Sequence, residues 1–136
     1  MKSSTRRKFI ASSLALAAGA AMATQANPFE MKDKPQLVHH VFFWLKNPRS
    51  EADRNKLING LRTLEKIETV RAIHIGVPAK TEARPVIDSS YSVSELLFFD
   101  DLEGQKTYQD HPIHQKFVAD YSSLWEKVVV YDAVDV

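Results

Sequence analysis

Residues 36–45, Gln-Leu-Val-His-His-Val-Phe-Phe-Trp-Leu, carry apolar side chains on both sides of an extended chain. Side chains alternate with a period of two along a strand. Leu37, Val41, Phe43 and Leu45 therefore share one face, and Val38, Phe42 and Trp44 share the other. The final strand-like run, Lys127–Val134, repeats the pattern, with Val128 and Val130 opposite Val129 and Tyr131. An antiparallel sheet with helices on one face and water on the other alternates apolar and polar residues. These strands do not, and a bare apolar sheet face is a liability. The chain is expected to bury the second face against a second copy of itself, sheet to sheet, as a homodimer.

Breaks and periodicities divide the rest of the chain. Asn47-Pro48-Arg49 ends the first strand, and Ser50 opens a helix with Asp53 three residues on, a capping-box-like start. Leu57, Leu61 and Leu64 recur at helical spacing, widened by Ile58, and the pattern stops near Lys66. Val70–Val77 reads as a second strand, residues 78–90 as a loop with two prolines, and Tyr91–Phe99 as a third strand. Asp101–Asp110 has weak helical character despite Gly104, Pro112–Trp125 a clearer one, and Lys127–Val134 is the last strand. The order β-α-β-β-α-β, its second helical region split at Pro112, specifies an α+β, ferredoxin-like fold: a four-stranded antiparallel sheet with helices on one face.

Residues 1–23 stand apart. Ser4-Thr5-Arg6-Arg7-Lys8-Phe9-Ile10 is a basic head with paired arginines, and an apolar or small-residue run follows to Met22. That run is shorter than the roughly 20 residues a membrane-spanning helix needs, and Ala21-Met22-Ala23 suits a signal peptidase. The segment resembles a twin-arginine export signal, cleaved after residue 23 or 26 and followed by a linker over residues 24–35. The domain then occupies residues 36–136, in the periplasm. Cleavage removes Lys2, Arg6, Arg7 and Lys8 from 18 basic residues, leaving 14 against 17 acidic ones, a net charge of −3. The basic character belongs to the signal, so neither nucleic acid nor, after cleavage, a membrane is an expected partner. The chain has no cysteine, which excludes disulfides, thiol catalysis, thiolate metal sites and a lipidated N-terminal cysteine.

Chemistry concentrates in Tyr108–Phe117, Tyr-Gln-Asp-His-Pro-Ile-His-Gln-Lys-Phe. Proline suits the first helical turn, where its missing N–H has no partner to lose, so His111 is expected at the cap. His114, Phe117, Val118, Tyr121 and Trp125 then form one inward stripe headed by a histidine. His114 can be a core histidine bonded to a backbone carbonyl or a functional one. A metal site is less well supported, because no neighbouring carboxylate supplies a third ligand. His39 and His40 are adjacent on a strand, so only one faces the helices. His74 reads as structural or edge-exposed, and Glu95 as a carboxylate either buried with a partner or facing water at the sheet edge. No glycine-rich phosphate loop or serine nucleophile motif is present.

Val38–Lys46, the H-P-x-H-x-x-F element within Tyr108–Phe117, and Leu124–Lys127 together resemble the stress-responsive A/B barrel (Dabb) family over about Leu37–Val134. The resemblance implies a dimeric α/β barrel. The family includes stress proteins without settled activity and a plant polyketide (olivetolic acid) cyclase whose catalytic tyrosine and histidine match Tyr108 and His114. A first-strand histidine of that enzyme matches His40, its pocket aromatics match Phe117 and Trp125, and a further pocket histidine falls on Val93. Phe42 and Trp44, beside His40, join the expected pocket lining, with core packing as their other reading. The resemblance thus implies a small apolar pocket for a hydrophobic carbonyl compound, no cofactor, and His114 as base with Tyr108 as hydrogen-bond donor. A non-enzymatic stress or structural dimer is the alternative; metal or haem binding by the histidines is a weaker one.

Overall fold

The computed structural model describes residues 36–136; the expected export signal and linker lie outside the described residues. The chain forms β1 (Leu37–Leu45), α1 (Glu51–Arg62), a 3-10 turn (Thr63–Lys66), β2 (Ala72–Gly76) and β3 (Val93–Phe99). It continues through α2 (Leu102–Asp110), α3 (Pro112–Tyr121), a second 3-10 turn (Ser122–Leu124) and β4 (Trp125–Val134). The four strands make one antiparallel sheet in the order β2-β3-β1-β4. This is the expected ferredoxin-like arrangement.

Local chemistry sets each helix start. The Ser50 hydroxyl accepts from the Asp53 N–H at 3.1 Å, so the serine caps α1. Asp53 does not close the box; its carboxylate instead accepts from the Asn47 amide. Asp101 caps α2 by accepting from the Gly104 N–H at 2.7 Å. His111 ends α2 and begins α3: its N–H donates to the Tyr108 carbonyl, and its Nδ1 accepts from the Ile113 N–H at 3.1 Å. Pro112 occupies the first turn of α3, as expected from its missing donor.

The core lies between the helices and the sheet face carrying Leu37, Val41, Phe43 and Leu45 of β1 with Val93, Leu97 and Phe99 of β3. Leu57 and Leu61 of α1, and Leu64 of the turn after it, are fully buried against that face. Burying each such side chain contributes about 1.5–3 kcal/mol. Gly60 lets α1 and α3 approach closely, since a Cβ there would lie 2.7–2.8 Å from the Tyr121 ring.

The helical stripe ends earlier than its spacing predicts. α3 stops at Tyr121, and Trp125 opens β4 instead of continuing the helix. Trp125 still reaches the helix side of the sheet because β4 is bulged. Trp44 pairs with Lys127 but Leu45 pairs with Trp125, leaving Glu126 as the extra residue. A bulge shifts the alternation by one and re-aims the side chain beyond it. Trp125 consequently packs on Phe43 and Phe117, at ring separations of 4.9 and 5.8 Å.

The opposite sheet face is the apolar surface expected from two-faced strands. His40, Phe42 and Trp44 lie there, half-buried, with Leu96 and Phe98 of β3 and an exposed Tyr131 of β4. Phe42 contacts His40, Tyr91 and Tyr131.

Candidate functional site

A cavity of about 260 Å³ opens between α2, α3 and the helix side of β1, β3 and β4. Phe43, Phe117, Trp125, Val128 and Val130 make it mainly apolar, and His39, Glu95, Tyr108 and His114 supply its polar wall. Helix geometry brings the last two together across the break at His111. Tyr108 lies in the last turn of α2 and His114 in the first of α3, with ring centroids 4.8 Å apart. His114 also lies 6.4 Å from Phe117, which it precedes by one turn.

Four of the residues expected from the sequence meet in this cavity: His114, Tyr108, Phe117 and Trp125. Three do not. His40, Phe42 and Trp44 stand on the other side of the sheet, and the histidine that enters the cavity is His39. The strand's own alternation contains that correction, since His39 keeps step with Leu37, Val41 and Phe43. Matching by resemblance shifted the position by one residue, and a one-residue shift reverses the face. His40 instead stacks on Phe42 at 4.2 Å, with burial and then nearby His74 lowering its pKa. Trp44 donates to the Ser90 hydroxyl at 3.1 Å and lies beneath Lys127.

His39, almost fully buried, pairs through Nδ1 with the Asp132 carboxylate directly across from it on β4. Its ring meets Tyr108 edge-on at 5.8 Å. Asp132 was not visible as a site residue in the sequence, because a lone aspartate near the end of an edge strand usually faces water.

Glu95 is the buried alternative of its two readings, at 1% exposure. The Tyr108 hydroxyl donates to Glu95 Oε1 at 3.1 Å. Burial pushes the Glu95 carboxyl up to about 8, although the bond from Tyr108 pulls the other way. Burial, reinforced by Glu95, also raises Tyr108 far above an ordinary phenol, so it keeps its proton. His114 moves down: burial and then His39 lower its pKa, and a hydrogen bond to the Gln109 carbonyl opposes them. At neutral pH the wall therefore holds a neutral imidazole, a phenol and a carboxylic acid. A neutral imidazole carries a lone pair on one of its two ring nitrogens.

The remaining histidines have other surroundings. His111 caps α3 and reaches Glu68 through Nε2 at 3.3 Å, while His74 is exposed on β2. Among the described residues no group of three or more His, Cys, Asp or Glu side chains is arranged to hold a metal ion. None of their helices is long and apolar enough to cross a membrane. A polar groove of about 300 Å³ along Glu68, Arg71, Asp100 and Asp101 is more open, and its Arg71 already pairs with Asp100 at 3.3 Å.

A protein-family model described as Stress responsive A/B Barrel Domain matches residues 37–135. No curated protein matches the chain. Among solved structures, a Dabb family protein with a ferredoxin-like fold from Mesorhizobium loti is 25% identical, with a TM-score of 0.62 over 76% of this chain and 99% of that one. A dimeric ferredoxin-like protein of unknown function from Thermobifida fusca is 17% identical (TM-score 0.61, 76% and 93% covered). The hydroxynitrile lyase of Passiflora edulis is 18% identical (TM-score 0.59, 76% and 96% covered). The last two likenesses are of fold alone.

The buried carboxyl has a measurable signature. Folded Glu95 holds its proton up to about pH 8, whereas an unperturbed glutamate releases it near 4.5. Between those values the folded state binds more protons than the unfolded one, so this group's contribution to stability falls as pH rises. Glu95→Gln should match the parent near pH 5 and exceed it by about 1–3 kcal/mol at pH 8.5. Urea unfolding at the two pH values measures this; an equal difference at both would refute it.

Proposed function

Because the chain belongs to the stress-responsive A/B barrel domain family, we propose that its cavity binds a small hydrophobic carbonyl compound and moves a proton next to the carbonyl. The observation that carries this reading is the contact between His114 and Tyr108 on the polar wall of an otherwise apolar cavity. The free imidazole nitrogen of His114 takes a proton from the carbon alpha to the carbonyl. The C–H electron pair becomes the enolate double bond, and the carbonyl oxygen takes the negative charge. The Tyr108 O–H, held protonated by its surroundings, donates to that oxygen. The enolate carbon then attacks a second carbonyl, as in a cyclase, or is reprotonated. Phe117, Trp125 and Val128 pack the apolar body and exclude water. The Passiflora enzyme contributes no residue role to this reading, which rests on the cavity.

Exchange of alpha-deuterium from acetophenone and related aryl ketones, followed by proton NMR, tests the proposal. Tyr108→Phe should slow the exchange by about 10²–10³-fold, and His114→Ala by about 10²–10⁴-fold. Ketones that raise the melting temperature without exchanging would leave a binding protein; no exchange and no shift would remove the carbonyl pocket altogether. The binding reading has its own support, since the Tyr108 oxygen already has a hydrogen-bond partner in Glu95 at 3.1 Å.

The working unit in this proposal is a homodimer closed through the second sheet face. Its support is the cluster of Phe42, Trp44 and Tyr131 there and the dimeric description of the Thermobifida protein. Phe42→Asp should convert a dimer to a monomer in light scattering of the mature chain; an unchanged mass would place the interface elsewhere. The protein is exported by the twin-arginine route to the periplasm, on the strength of Arg6 and Arg7 ahead of the apolar run. Arg6→Lys with Arg7→Lys should abolish appearance of mature protein in the periplasmic fraction, and unchanged export would sink the assignment.

A further inference from the structure

The proposed reaction leaves Glu95 without a role, yet its position is unusual. It sits in β3 with Val41 of β1 and Ile75 of β2 as cross-strand neighbours, and it lines the cavity. Among the described residues no lysine or arginine forms an ion pair with it. The titratable groups sharing its cavity are Tyr108 from α2, His114 from α3 and His39 from β1, with Asp132 of β4 joined to His39. β2 presents only Ile73 and Ile75 on this side.

Tyr108 Oη and Glu95 Oε1 are 3.1 Å apart, so only one proton can lie between them. An ionised pair has a single proton, and it stays on that line. A neutral pair has two, and one must point elsewhere. A carboxylic acid is a stronger donor than a phenol, with ordinary pKa values of about 4.3 and 10. The neutral acid therefore donates to the phenol oxygen and releases the phenolic proton from the line.

We propose that Glu95 is a positioning residue that sets the direction of the Tyr108 hydroxyl: as a neutral acid it turns the phenolic proton into the cavity, and as a carboxylate it withdraws it. The inference rests on reading Tyr108 as the donor to a carbonyl ligand, and it narrows the ligand class. In the neutral state the cavity selects an uncharged apolar molecule with one acceptor oxygen. In the ionised state Tyr108 offers that oxygen only lone pairs. Burial without a cation favours the neutral state at pH 7, and the carboxyl, pushed up to about 8, changes state in mildly alkaline solution.

Infrared difference spectra of the ligand-free protein from pH 6 to pH 10 test the coupling directly. A protonated-carboxyl band should disappear with a midpoint near 8, and a tyrosine C–O band should change at the same midpoint. In Glu95→Gln the carboxyl band should be absent and the tyrosine band constant; Tyr108→Phe should remove the latter. A carboxyl already ionised at pH 6, or a tyrosine band indifferent to its ionisation, overturns the proposal. Wild-type spectra suffice for that outcome, so it does not depend on either variant folding. Calorimetric titration with acetophenone supplies the ligand arm. Its affinity should weaken by about five- to tenfold between pH 7 and pH 9.5, the worth of one hydrogen bond, and should not vary with pH in Glu95→Gln. The same fall in Glu95→Gln would overturn the proposal. Failure of acetophenone to bind at any pH would count against the carbonyl pocket alone, because the infrared arm uses no ligand.

Discussion

β1 is hydrogen-bonded along both edges, to β3 and to β4, and carries apolar side chains on both faces. One face meets α1 and α3 through Val41, Phe43 and Leu45; the other presents Phe42 and Trp44 to whatever covers the sheet. The polar groups on the sheet side of the cavity are located by this strand. His39 is on it, Asp132 is directly across from His39 on β4, and Glu95 is directly across from Val41 on β3. A slip of one residue in either register would send these side chains to the other face, so the cavity depends on how β1 is paired.

The helices complete the site by a break in the backbone. α2 ends and α3 begins at His111, whose ring caps the second helix and whose following proline forbids a continuous one. The break lets Tyr108 and His114 face the same space from two helices. Their protonation states follow from burial, which favours the uncharged form of every group it touches. That lowers His114, raises Tyr108 and raises Glu95, so each is held in its uncharged form at neutral pH. The same burial makes Glu95 a stability burden once it ionises.

Strong periodicities carried over into the structure: the two-faced β1, the Leu57–Leu61–Leu64 stripe, the Ser50 cap and the cap role of His111. Readings that depended on distant geometry shifted. Trp125 sits at helical spacing from Tyr121, yet the chain leaves the helix at Tyr121, and only the β4 bulge returns the tryptophan to the core side. His40 was favoured over His39 by matching to a family pattern, although alternation with Leu37 and Val41 points to His39. Glu95 had two readings because a carboxylate among apolar residues can be buried or placed at an edge. The strand order decided it, by setting β3 between β2 and β1.

The sequence by itself determined the elements, the sheet's need for cover on both faces and the split between His111 and His114. These are local or periodic properties, written in side-chain alternation and in the backbone chemistry of proline. Tertiary structure alone decided that Asp132 engages His39, and that Glu95 loses water and gains a phenol. Those outcomes depend on pairings across tens of residues, where register and burial, rather than residue type, set the protonation of a side chain.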